Sequence, residues 1–113
     1  MPIPPEIQAL VDQLNLELNQ IEQETKEGLN LVRELLSRFF SNAILTQYFA
    51  YFNTALIFVE TSRGQIQTTV ETLSATDVLD EVIQDVGQDL STLLGRVLEV
   101  KLKIVGLVER LEE

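Results

Sequence analysis

Cysteine and histidine are both absent from the 113 residues. Without cysteine there can be no disulfide, no thiolate metal site and no thiol nucleophile. Without histidine the usual general base, the commonest zinc and iron ligand and the ordinary physiological pH switch are missing as well. Carboxylate-bridged di-iron bundles, which rely on Glu-x-x-His pairs, are excluded on the same ground. Basic residues are scarce, 8 against 18 acidic ones, for a net charge of −10. Such a field repels nucleic acid, and Arg96, Lys101, Lys103 and Arg110, the longest basic grouping, are interleaved with Glu99 and Glu109. Glycine occurs five times, and the three prolines all lie within the first five residues. From Glu6 onward nothing forbids a helix outright. The opening Met1-Pro2-Ile3-Pro4-Pro5 has neither a basic start nor an apolar core. The expectation is therefore no signal peptide and a cytoplasmic location.

Apolar residues, at 45%, are too many for a disordered acidic tail, and the length suits one domain. Their spacing is helical. A first row runs Ile7, Val11, Leu14, Leu18, Ile21, Thr25, Gly28, Val32, Leu35 and Phe39, in alternating steps of four and three. Thr25 and Gly28 are its weak point, where either the helix bends or a bulky neighbour fills the space. Pro4 and Pro5 suit a first helical turn, and Glu6 complements the positive end of the helix dipole. Asp12, Asn15, Asn19, Glu22 and Lys26 form the solvated face. A break is expected near Phe40-Ser41-Asn42, with Ser41 as cap, although one helix running straight through is the alternative.

The second segment carries two apolar rows. One is Leu45, Phe49, Phe52, Leu56, Val59, Arg63, Ile66, Val70 and Leu73; the other is Ile44, Tyr48, Tyr51, Ala55 and Phe58. Its first half is apolar over most of its circumference. Its second half is mostly polar and weakened as a helix by Gly64 and the Thr68-Thr69 pair. Ser74, Thr76 and Asp77 read as turn or cap residues. The third row, Leu79, Ile83, Val86, Leu90, Leu93, Val97, Val100, Ile104, Leu107 and Leu111, has no polar member. Acids open this segment and basic residues gather toward its end, both favourable to the dipole. The chain is thus expected to be all-α: one domain, residues 1–113, of three helices at about 4–40, 42–73 and 77–112, each about 45–50 Å long. Similar lengths and short turns favour an antiparallel up-down-up bundle with coiled-coil-like packing.

The three helices carry more apolar surface than a three-helix core absorbs. A symmetric homodimer is the economical solution. Its expected anchor patch is Phe49, Phe52, Leu56, Phe58 and Val59, since aromatic anchors carry much of the energy of such contacts. Asn53, between Phe52 and Leu56, is the candidate for fixing register and oligomeric state. Asp77, Glu81 and Asp85 share a helix face, as a hard cation would need, but lie opposite the apolar row and read as a solvated face. The uncharged run Phe39–Val59 is long enough to span a membrane but includes Ser41, Asn42, Thr46, Gln47, Asn53 and Thr54, so a span is not expected. Tyr48 and Tyr51 read as core with hydroxyls at the rim, and Arg33, Arg38 and Arg63 as partners for Glu34 or Glu60. No Walker loop, paired-glycine motif or Ser–His arrangement is present. The expectation is a non-enzymatic helical protein–protein interaction or scaffold module without a cofactor. A binder of apolar ligands or membrane surfaces, using the same apolar zone, is the alternative.

The segments Pro5-Glu6-Ile7-Gln8, Leu18-Asn19-Gln20-Ile21-Glu22-Gln23 and Phe49-Ala50-Tyr51-Phe52-Asn53-Thr54-Ala55-Leu56 resemble a group of small all-helical proteins. Some of these are labelled restriction-endonuclease specificity subunits. The resemblance implies the helical spacer of such a subunit, which holds two DNA-reading domains apart. This chain has no room for a DNA-reading domain, so what carries over is a protein-docking spacer, without catalytic or binding residues.

Overall fold

The computed structural model describes residues 3–75 and 78–113. Met1 and Pro2, and the expected cap residues Thr76 and Asp77, lie outside the described residues. Three helices, α1 (Pro5–Arg38), α2 (Ala43–Leu73) and α3 (Asp80–Glu112), form an antiparallel up-down-up bundle 59 Å long and 19 × 16 Å across. There is no strand among the described residues.

α1 begins as the prolines direct. Pro4, in an extended conformation, precedes the helix and Pro5 opens it, where the missing N–H costs nothing. α1 ends at Arg38, so Phe39, expected as the last member of its apolar row, stands in the turn and is mostly exposed. The break before α2 is a tight turn rather than a continuous helix. Its cap is Asn42 and not Ser41: Asn42 Oδ1 accepts from the backbone N–H groups of Ile44 (2.9 Å) and Leu45 (3.1 Å). Asn is as strong a cap as Ser, and the chain takes the residue next to the first helical turn. α3 begins at Asp80, later than expected. No side chain caps it, and Asp80 and Glu81 supply negative charge to its first turn.

α2 and α3 both pack chiefly on α1 and less on each other. The α1 row from Ile7 to Val32 is buried throughout, Thr25 and Gly28 included. α3 buries Leu90, Leu93, Val97, Ile104 and Leu107 of its row, with Val108 beside them. α2 buries Leu45, Phe52, Val59, Ile66 and Leu73, at intervals of seven, with Ala55 and Ser62 between them. Its inward face is thus turned toward these small residues, leaving Phe49, Leu56, Arg63 and Val70 of the expected row half-buried.

The weak point of α1 is filled by a bulky neighbour. A methyl group built on Gly28 would lie 2.5 Å from Cζ of Phe52, so the phenyl ring occupies the space a larger residue would need. Phe52 is fully buried there, worth about 1.5–3 kcal/mol relative to exposure. One turn earlier, Thr25 is equally buried and its hydroxyl has no hydrogen-bond partner. Polar contacts fix the helix pairing nearby. Arg63 of α2 donates to Glu22 Oε2 (2.8 Å) and Asn19 Oδ1 (2.6 Å) of α1. Lys101 Nζ of α3 lies 2.8 Å from Glu17 Oε2 of α1, a charge contact rather than a well-angled hydrogen bond.

Candidate interaction surface

The expected anchor patch is divided by the fold. Phe52 and Val59 are fully buried inside the chain's own core and offer nothing to a partner. Hydrophobicity alone does not say which side of a helix faces inward; the hole at Gly28 selects Phe52. Phe49, Leu56 and Phe58 are half-buried. Asn53 is also half-buried, and its amide donates to the Phe49 carbonyl of its own helix at 3.1 Å.

Three of the remaining aromatics are roofed by cations from the neighbouring helices. The Arg33 guanidinium of α1 stands 5.8 Å from the Phe49 ring centre, and that of Arg96 of α3 stands 5.7 Å from Phe58. Lys103 Nζ stands 4.5 Å from the Tyr51 ring. Each cation is attracted to the negative face of its ring while its stem covers apolar surface. Burial pushes the Tyr51 phenol above its ordinary pKa. Gln47, Tyr48, Tyr51, Lys103 and Leu107 line a groove of about 180 Å³ between α2 and α3. Arg33 therefore serves an aromatic ring, while Arg38 pairs with Glu34 at 3.5 Å and Arg63 with Glu22 across helices.

The surface left open is elsewhere. Phe40 in the turn is 83% exposed, Leu102 74%, Ile57 67% and Ile44 62%. On α2, Ala43, Ala50, Ile57 and Gly64 recur every seven residues and are all exposed, so they form one outward face. Thr46, Thr54 and Thr61 share that side and are exposed too. No charged residue stands between Arg38 and Glu60, so even the solvent side of the first half of α2 is uncharged.

The fold also sorts charge along the rod. Divided at Glu22, Glu60 and Arg96, near the contacts of α2 with its neighbours (Arg63 with Glu22, Phe58 with Arg96), the molecule has two unlike halves. The upper half, residues 23–59 and 96–113, holds seven acidic and seven basic side chains and is neutral. The lower half holds ten acidic side chains and one basic one, Arg63, among the described residues, and Lys101 of the upper half reaches down to Glu17. Every phenylalanine and tyrosine of the chain belongs to the upper half. This division joins segments far apart in sequence, and it becomes visible only when acids and bases are tallied level by level across antiparallel helices.

Other candidate sites are thin. Glu81 and Asp85 are exposed, Asp77 lies outside the described residues, and no group of three metal-binding side chains forms among the described residues. A groove of about 740 Å³ between the starts of α1 and α3 is an open surface depression, with Glu6 its one charged lining residue. No helix of the described chain is long and apolar enough to cross a membrane. No protein-family model, curated protein or solved structure matches this chain.

Proposed function

We propose that this chain is a non-enzymatic helical interaction module that self-associates by helix packing, with its neutral upper half as the docking half. The observation that carries the reading is the joint placement of charge and apolar exposure. Of the large apolar side chains exposed to water, Phe39, Phe40, Ile44, Ile57, Leu98 and Leu102 stand on the half that has no net charge, against Leu16 and Leu79 on the half that carries the −10. Large apolar side chains held in water favour association, and a neutral surface lets two acidic molecules meet without like-charge repulsion. The cation-roofed aromatics Phe49, Phe58 and Tyr51 frame this half and stiffen it.

Solution mass by light scattering across a dilution series tests the reading. A mass of twice the 12.8 kDa chain that persists on dilution is expected. A single-chain mass at every concentration contradicts it.

A second reading draws on the shape together with the resemblance described above. A rod 59 Å long suits a spacer that docks to other proteins within a restriction-modification complex. In that role it contacts protein partners and not DNA, given the acidic field.

A further inference from the structure

We propose that two copies pair antiparallel through the outward face of α2, with the twofold axis passing between Ala50 and Asn53. This rests on the self-association reading and adds to it the surface and the geometry. The outward face of α2 offers a second copy a strip that carries no charge from Ala43 through Val59. Contact over that stretch strips no carboxylate or ammonium of its water, a costly step; only toward Gly64 does it pass a charge, the exposed Glu60. The competing strip, Leu98 and Leu102 on α3, is flanked by Arg96, Glu99 and Lys103, all of them exposed. A contact centred on it would strip these charged groups of their water.

Charge also selects the direction. A parallel pair would set the two acidic halves side by side at helix-packing distance, about 10 Å, where physiological salt screens only in part. An antiparallel pair overlaps the two neutral halves and sends the acidic halves to opposite ends. The lower parts of the two α2 helices then lie several Debye lengths apart.

The side chains fit this register. Antiparallel helix pairing about an axis between Ala50 and Asn53 sets each of these residues opposite the other in the second copy. Ile57, otherwise left in water, then lies over Thr46 of the second copy. Gly64, where an added methyl would touch nothing within its own bundle, comes level with the exposed Phe39–Phe40 turn of the other copy. An exposed glycine in mid-helix is unfavourable on its own and has no packing reason inside this chain; opposite two phenylalanines it leaves room for them. Each aromatic side chain brings about 150–250 Å² to the contact, at both ends of the strip because the pair is symmetric.

The absence of cysteine gives a clean background for single-site labelling. Spin labels on Gln47→Cys or Thr68→Cys, both exposed positions on α2, report the distance between copies by pulsed paramagnetic resonance, with the mass of each labelled protein measured alongside. At 1.5 Å per residue from the axis, the Gln47 labels are expected about 20 Å apart and the Thr68 labels about 50 Å apart. A dimer with short distances at both sites is parallel and overturns the proposal. A dimer with long distances at both sites uses another face and overturns it too. In both of those cases the self-association reading stands. A single-chain mass for the unlabelled protein removes both.

Discussion

The two halves of the rod solve the same packing problem with different side chains. In the lower half, aliphatic residues such as Ile7, Val11, Leu14 and Leu90 close the core, and the charged side chains outside are almost all acidic. In the upper half a single phenylalanine, Phe52, sits in the hole left by Gly28, and the remaining aromatics lie on the flanks beneath cations. The difference teaches that charge here is assigned by region. Negative charge is concentrated in the lower half, and the half with most of the exposed large apolar side chains is kept neutral. In the proposed pair, acidity that would keep two copies apart if spread evenly instead sets their orientation.

The largest expected effect breaks the upper half alone. Phe52→Ala should cost about 3–5 kcal/mol in urea unfolding, because it empties the site at Gly28. Gly28→Ala should cost about 1–3 kcal/mol by overpacking against the buried ring. The same change in the lower half sharpens the contrast. A methyl on Gly87 meets only the tip of Ile7, at 3.3 Å, so Gly87→Ala should be neutral or stabilising by up to about 1 kcal/mol through helix propensity. Equal losses for the two glycine variants would show that the Phe52 hole has no special role. Next in size is Asn42→Ala, which removes the cap that starts α2 and should cost about 1 kcal/mol in the same assay.

Thr25→Val should act in the opposite direction. It removes a buried hydroxyl that has no partner and keeps the shape, so a gain of about 1 kcal/mol in unfolding free energy is expected. The smallest effect concerns the one cation of the lower half. The Arg63 hydrogen bond to Glu22, more than the Coulombic attraction of Arg63 and Lys26, holds the Glu22 carboxyl below its ordinary value of 4.5 and outweighs the opposing effect of burial. A depressed carboxyl pKa contributes stability above the unfolded value, and that contribution is lost as pH falls through the folded one. The stability gap between the native chain and Arg63→Gln should therefore be full near neutral pH and shrink as pH drops below about 4.5. A gap that stays constant down to low pH would mean that Glu22 gains nothing from Arg63.

Much of this fold can be read without coordinates, and the reasons are local. The rows of α1 and α3 keep one apolar face over many turns, so their burial follows from spacing. The prolines mark the start of α1 because they are tolerated nowhere further in. α2 is different: its apolar residues surround the helix, and spacing cannot choose between Phe49 and Phe52 as the inward one. That choice is made by Gly28, which belongs to another helix. Ser41 and Asn42 are chemically equivalent as caps, so the turn geometry decides between them. The candidate interaction surface is the least legible part. Phe52 and Val59 have the composition of a docking patch and the position of a core, and the neutral half is assembled from segments that are not contiguous in sequence.

The most direct test of the proposed docking role of the upper half is the mass of matched charge variants by light scattering at several concentrations. Ala50→Glu places a carboxylate on the uncharged face of α2; Gln88→Glu adds the same group to an exposed position of α3 in the acidic half. The native chain and Gln88→Glu should both be dimers, and Ala50→Glu should be a folded monomer by circular dichroism. A native monomer, or a dimer that Ala50→Glu leaves intact, would contradict association through the neutral half of α2.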